Sequence, residues 1–317
     1  MKKIYAKPVL YFLIVSLVII GGACKKNQSS GFNPSTTTLT HLLANGSNTT
    51  IFNSAVIKAK LDTVFGSSSL FTLFVPNNDA CNQSGFSQSV INGFSYDQAR
   101  QWVLYQTYAG AALTAESFIG HSEMKLIMAN GDSIFVRGDS NQTFVNGFQL
   151  NTAEAVASNG VMLALQNVFV MPTQNLMQMV ASDTTLSFFN TAIQQSTAIP
   201  DSLSTRLSNN APYTVLAPDN DAFRKLGFNT PADLDSVSPD SLRSLVLLHL
   251  IPQRLFSYDI SDSSTFQTVS DSTLMFNFTG LLTTVQVQGS VYTSNVISLN
   301  SMAINGVLFK IDEILDR

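Results

Sequence analysis

The sequence predicts an α+β fold built twice in tandem, and three observations lead there. The phrase "YTVLAPDNDAF" at Tyr213 to Phe223 repeats "FTLFVPNNDAC" at Phe71 to Cys81. Three further blocks recur in the same order, with offsets that grow only from 137 to 146 residues along the chain. Within each copy a helical half precedes a half made of strands, the arrangement expected of α+β rather than alternating α/β architecture. A repeat of this length is a pair of whole domains, since solenoid units are far shorter.

The first helical block is "LTHLLANGSNTTIFNSAV" at Leu39 to Val56, which matches "LMQMVASDTTLSFFNTAI" at Leu176 to Ile193 without a gap. Ile51, Phe52, Ala55, Val56 and Ala59 form one apolar stripe at helical spacing, and Phe188, Phe189, Ala192 and Ile193 form its counterpart. In the repeated phrase Val215 to Ala217 read as a short buried strand and Pro218 as its stop. Asp219 or Asn220 is placed to cap the helix carrying Ala222 and Phe223, and Pro76 and Asn77 repeat the device. "ARQWVLYQ" at Ala99 to Gln106 matches "LRSLVLLH" at Leu242 to His249, giving a second amphipathic helix whose core stripe ends on a polar residue.

The strand half reads "KLIM", "SIFV", "TFVNGFQL" and "VMLAL" in the first copy, cut by turn words such as Asn130-Gly131 and Asn159-Gly160. The second copy reads "FQTV", "LMFNF", "TTVQVQ" and "GVLFKI". Between the copies Val168 to Met171 read as the end of a strand, Pro172 follows and Leu176 already opens a helix, so the join has little slack.

These blocks together resemble the fasciclin-like domain, through the "YTVLAPDNDAF" phrase, a helix ending near "LLHLIP" and the terminal "NGVLFKID". The resemblance implies two tandem domains, each a wedge-shaped β-sandwich with flanking α-helices, at 35–172 and 173–317. It also implies a role in adhesion to matrix or surfaces, with membrane anchoring common. The family's usual Tyr-His pair is split here, into Tyr105-Gln106 and Leu248-His249, and the His common in the terminal block is replaced by Leu163 and Phe309.

The N-terminus reads as an address. A cationic start at Lys2 and Lys3, an apolar run from Val9 to Ile20 and a small-residue exit at Gly21-Gly22-Ala23 predict an export signal over 1–23, too short for a comfortable bilayer span. Cys24 follows at the position that carries the lipid in bacterial lipoproteins, so lipid attachment at Cys24 is expected, with 24–34 as a polar, flexible tether. The expected location is the bacterial cell envelope, lipid-anchored, the outer membrane preferred to the inner, with the body periplasmic or at the surface. Loss of 1–23 removes three lysines and no acid and carries the formal charge from −4 to −7, which speaks against nucleic acid as a partner. Expected partners are the membrane, through the lipid, and a protein or polysaccharide ligand.

Chemistry is sparse. With Cys24 committed, Cys81 stands alone in an apolar slot aligned with Phe223, so no disulfide framework is expected. His41, His121 and His249 lie apart, without metal-ligand spacing, and neither a metal nor any other cofactor is predicted. His249 aligns with Gln106, and the two share only the ability to donate and to accept a hydrogen bond, so a satisfied inward polar group is expected. Asp233, Asp235 and Asp240 crowd together, but Ser238-Pro239 makes that stretch a helix entry. Arg137-Gly138-Asp139 is a word that animal integrins read; here its flanking strands make it a hairpin turn, and with His249 it is the weak candidate for binding.

No catalytic residues are predicted, and the leading expectation is a non-catalytic adhesion or binding module. Two alternatives stand beside it. One is an envelope hydrolase with an unrecognised site near His249 in the second copy, and the other an accessory carbohydrate-uptake lipoprotein using exposed aromatics such as Tyr108 or Tyr292.

Overall fold

The computed structural model describes residues 36–139, 142–150, 154–196, 203–209, 212–279 and 282–316. The expected signal, Cys24 and the 24–34 tether lie outside the described residues. The first domain opens with α1 (Leu39–Asn45), α2 (Thr50–Lys58) and α3 (Asp62–Phe65), then β1 (Phe71–Pro76). Next come α4 (Asn78–Gln83), α5 (Gln88–Gly93), α6 (Tyr96–Tyr105) and β2 (Thr107–Ala109). After a 3-10 turn at Ala115–Phe118, the strands β3 (Met124–Ile127), β4 (Ser133–Gly138), β5 (Thr143–Val145), β6 (Phe148–Gln149), β7 (Glu154–Ala157) and β8 (Gly160–Leu165) complete it.

The second domain repeats the plan with α7 (Leu176–Ser182), α8 (Ser187–Gln195), α9 (Leu203–Ser208), β9 (Tyr213–Pro218) and α10 (Asn220–Lys225). There follow α11 (Pro239–Leu248), β10 (Leu250–Ile251), a 3-10 turn at Ser257–Asp259, and β11 (Ser264–Gln267). β12 (Thr273–Thr279), β13 (Leu282–Val287), β14 (Ser294–Ala303) and β15 (Gly306–Ile311) end it.

Strand order establishes the duplication. The first domain has sheets ordered β2-β1-β8-β7 and β3-β4-β5-β6, and the second runs β10-β9-β15-β14-β13-β12-β11 without a break. β14 unites the two sheets of the second domain, its first residues Ser294 and Asn295 pairing with β13 and the stretch from Val296 to Ala303 with β15. In each copy the repeated phrase lies parallel to the terminal block, Phe71 opposite Gly160 and Tyr213 opposite Gly306. Helices cover one side, with Phe52 and Phe189 wholly buried beneath them.

The repeated words are fasteners as well as sheet-formers. Asn77 caps α4 by accepting from Ala80 N–H at 2.7 Å, and Asp219, not Asn220, caps α10 through Ala222 N–H at 2.9 Å. That leaves the second amide of each phrase for another helix. The N-cap residues of α2 and α8 are Thr49 and Leu186, neither of which makes a side-chain cap. Asn78 Oδ1 instead accepts from Ile51 N–H at 3.0 Å, and Asn220 Oδ1 accepts from Phe188 N–H at 3.2 Å. One short word therefore satisfies orphan donors of two helices.

The terminal blocks do the same at the other end. Asn159 Oδ1 accepts from Leu39 N–H at 2.9 Å while its amide donates to Phe65 and Ser67 carbonyls, each at 2.7 Å. Asn305 reproduces this with Leu176 N–H at 2.8 Å and the Leu207 carbonyl at 2.7 Å. The glycine that follows is obligatory for a close approach: a Cβ on Gly160 would stand 2.0 Å from the Phe71 carbonyl oxygen, and one on Gly306 2.1 Å from that of Tyr213.

Three expectations need correction. "TFVNGFQL" is two strands, because Asn146 (φ 49°) and Gly147 (φ 89°) turn the chain back between β5 and β6. Val168 to Met171 do not end a strand: β8 stops at Leu165 and the chain runs irregularly to α7. Arg137 and Gly138 belong to β4, opposite Phe144 and Thr143, so only Asp139 reaches the turn, where its backbone N–H donates to the Gln142 carbonyl at 2.9 Å.

Replacing Asn220 by Ala removes the remote cap of α8 and leaves the Thr184 carbonyl without its amide donor. Urea unfolding is expected to show a loss of about 1–2 kcal/mol. Asn220→Asp keeps the acceptor at the helix N-terminus and is expected to lose less.

Candidate functional site

Two polar residues close the long helices. Gln106 and His249 follow α6 and α11 as their C-caps and are completely buried. Gln106 donates from Nε2 to the Phe169 carbonyl at 2.8 Å and accepts at Oε1 from Phe169 N–H at 3.4 Å. His249 lies 2.8 Å from the Leu245 carbonyl through Nδ1 and accepts from Leu315 N–H at Nε2, 3.0 Å away. A backbone N–H can only donate, so Nε2 is bare and the ring proton sits on Nδ1, donated to Leu245. Burial lowers the His249 pKa to about 4, against the opposing effect of the Leu245 carbonyl. The ring otherwise meets Phe189, with centroids 6.0 Å apart. Both ring nitrogens are committed to backbone groups, so no lone pair or proton is presented to a substrate, and the pair serves to strap the chain after the last strand onto the helix end.

The Arg137-Gly138-Asp139 stretch lies on the seam between the domains. Arg137 donates to Asp259 Oδ1 and to the Tyr258 carbonyl, both at 3.0 Å, and its guanidinium lies 5.8 Å from the centre of the Tyr258 ring. Phe144 packs on Tyr258 and Phe135 on Phe256, with ring centres 5.5 and 6.1 Å apart. Arg254 stacks over Phe135 at 4.0 Å. Phe135 is 5% exposed and belongs to the same apolar cluster as Phe256, Phe276 and Phe309 of the second domain. Burial raises the Asp259 pKa, with Arg137 working against it, and burial together with Asp259 raises that of Glu123. A Cβ on Gly138 would stand 2.2 Å from the Phe118 carbonyl oxygen, so this glycine answers to packing. Arg137 is thus spent on the neighbouring domain.

The hairpin tip between β5 and β6 completes the seam. Asn300 Nδ2 and Ser257 Oγ both donate to the Gly147 carbonyl, at 3.1 and 3.2 Å, and Asn300 Oδ1 accepts from Ser257 N–H at 2.8 Å. Asn300 adopts φ 60° within the irregular register of β14, which aims its amide at the first domain. Beside this contact lies a cleft of about 420 Å³ walled by Asn146 and Phe148, by the connecting chain from Asn167 to Gln174, and by Leu299 to Met302. A second concavity of about 430 Å³, on the first domain, is bounded by Phe86, Phe94 and Trp102 and is almost wholly apolar.

A scan against family profiles matches the Fasciclin domain twice, at residues 47–172 and 184–317. This chain belongs to the fasciclin domain family. Among curated proteins it is 26% identical over 259 residues to the pig (Sus scrofa) transforming growth factor-beta-induced protein ig-h3, a match covering 77% of this chain and 34% of that protein. The rabbit (Oryctolagus cuniculus) protein of the same name is 25% identical over 258 residues, with the same coverage. The chain spans about a third of the length of these relatives. Among solved structures it is similar to a fasciclin domain pair from the insect cell adhesion molecule fasciclin I. There the identity is 17%, the TM-score 0.42, and 84% of this chain and 96% of that one are covered.

Within these two fasciclin domains the weak binding candidates are not brought together: Arg137 and Gly138 lie in the seam, Asp139 opens the adjoining turn, and His249 is interior to the second domain. Tyr108 packs against the first domain's apolar cluster, whereas Tyr292 is 69% exposed on the turn before β14. Among the described residues no group of three or more His, Cys, Asp and Glu is placed to hold a metal ion. No described helix is long and apolar enough to cross a membrane. Cys81 is buried, and burial raises its thiol pKa to about 12. Sequence reasoning passed over the cleft residues Phe148, Asn167, Gln174 and Ser301, which sit in a two-residue strand, in the connection, or in a strand rich in Ser and Asn. The one available signal was the Asn146-Gly147 turn word, which marks the tip that docks.

His249 gives a pH signature. The folded pKa, about 4, lies below the ordinary 6.5, so the unfolded chain binds the extra proton between these values. The stability that the neutral ring contributes is therefore present in full above 6.5 and is lost as the pH falls toward 4. His249→Gln copies the first domain and removes the titration. Between pH 7 and pH 4.5 the wild type is expected to lose about 2–3 kcal/mol more than the variant in urea unfolding. Equal losses would contradict the assignment.

Proposed function

We propose that this chain is a lipid-anchored bacterial cell-envelope adhesion module that contacts extracellular protein or polysaccharide without catalysis. Fasciclin domains are adhesion and binding modules. The observation that carries the reading is the seam: aromatic stacking, the Arg137–Asp259 ion pair at 3.0 Å and the docked Gly147 tip join the two domains into one body. A fixed double surface suits attachment, since a ligand bridging both domains does not pay for ordering them. The hydrolase alternative loses its site, because His249 is closed in by apolar groups and two backbone partners.

Cys24 supplies the anchor in this reading, and acyl chains there would hold the body at the membrane through about 0.8 kcal/mol per buried methylene. The anionic, Ser- and Thr-rich surface suits the outside of the cell and disfavours nucleic acid.

Cells making the full chain are expected to incorporate a labelled fatty acid into it and to adhere to a protein- or polysaccharide-coated surface. Cys24→Ala is expected to abolish the label, move the protein from the membrane to the soluble fraction and cost the cells their adhesion. Label on the variant, adhesion that ignores it, or turnover of a polymer by the purified protein would each count against the proposal.

A further inference from the structure

The interdomain cleft, like the small concavity formed by Ser272, Thr273, Val287 and Gln288, is uncharged. No charged residue lines it, whereas Lys125, Asp132 and Arg254 line the neighbouring concavity and Asp240 and Asp316 the one beside α11. Its volume of about 420 Å³ suits a small-molecule segment rather than a protein face.

Its polar side chains are neutral, and while Asn146 and Asn300 are committed to the fold, the others are largely unspent. Among the described residues the side chains of Asn167, Thr173, Ser301 and Ser84 make no hydrogen bond, although Asn167 and Ser301 are half-buried. Gln174 uses only its Oε1, accepting from Ser182 Oγ at 3.4 Å, which leaves Nε2 open. Amides and hydroxyls of this kind each donate and accept, so together they match a ligand rich in hydroxyl groups. Phe148, 38% exposed, supplies a ring at the cleft wall on which an apolar face of such a ligand can stack.

The cleft is also shared. Phe148 and Asn167 come from the first domain, Gln174 and Ser301 from the second, and the walls are set by the docked Gly147–Asn300 contact. The site is thus held in shape before any ligand arrives.

We propose that this cleft binds a neutral saccharide chain, an inference that rests on the adhesion reading and names the ligand class of that module. An uncharged lining pays no charge desolvation on closing around such a ligand, and it offers a carboxylated or sulfated polymer no counter-charge.

Calorimetric titration of the full chain, held in a sugar-free zwitterionic detergent, tests it. The probes are uncharged oligomers of glucose, mannose and N-acetylglucosamine, with sulfated and uronic-acid oligomers as charged comparators. Saturable binding of an uncharged oligomer is expected, with affinity reduced about tenfold by Phe148→Ala and by Asn167→Ala. Tyr292→Ala, outside the cleft, is expected to leave it unchanged. Should Phe148→Ala lower the melting temperature, Asn167→Ala and Ser301→Ala carry the test. Binding that ignores all the cleft variants overturns the site, and binding of charged oligomers alone, or of none, overturns the ligand class. Either failure leaves Cys24-dependent adhesion intact, which separates it from failure of the adhesion reading itself.

Discussion

The seam between the domains rests on the burial of one sheet face. Phe135, Arg137 and Phe144 alternate with inward residues on β4 and β5, and in an isolated domain that face would meet water. Phe256, Tyr258 and Asp259 cover it, and the arginine that the apolar contact would otherwise strand finds a carboxylate and a carbonyl. A partly buried ion pair alone is a weak source of stability, because desolvation offsets much of the attraction. Its contribution here is orientation: the guanidinium must reach two acceptors at once, which fixes how the second domain sits on the first. The cleft, the left-handed Asn300 and the placement of Gly147 all depend on that orientation.

Inside each domain the same logic operates through neutral side chains. Asn159 and Asn305 tie the first helix to the last strand, Asn78 and Asn220 cap a helix distant in sequence, and Gln106 and His249 strap the chain after the last strand. Charged residues are only 12% of the chain, so amides and hydroxyls carry tasks that ion pairs perform elsewhere. The Gln106 and His249 pair shows how little the scaffold asks of chemistry. Two backbone groups need partners, and either a primary amide or a neutral imidazole can supply them.

Much of the scaffold was legible because its signals are local. The stripe from Ile51 to Ala59, the caps at Asn77 and Asp219 and the terminal strand from Gly306 to Ile311 each arise from spacing that a short window contains. β14 escaped because "SNVISLNSMA" alternates poorly and shifts register twice, so its pattern never settles on one face. Arg137-Gly138-Asp139 was misplaced for the opposite reason: its composition suits a turn, yet Arg137 is held by Tyr258 and Asp259, more than a hundred residues away in the seam, and Gly138 packs on the turn at Phe118, outside any short window. The cleft was illegible altogether, since its walls come from two domains and only the docking brings Phe148 near Ser301. Local grammar builds each body, and nonlocal burial makes the site.

The central claim is that the two fasciclin domains form one body. Spin labels at Ser89→Cys in the first domain and Thr265→Cys in the second, both exposed positions, report on it through pulsed electron-spin distance measurement. A single narrow distance distribution is expected in the wild-type background, broadening when Arg137→Ala and Phe135→Ala remove the seam. A broad distribution in the wild-type background would contradict the account.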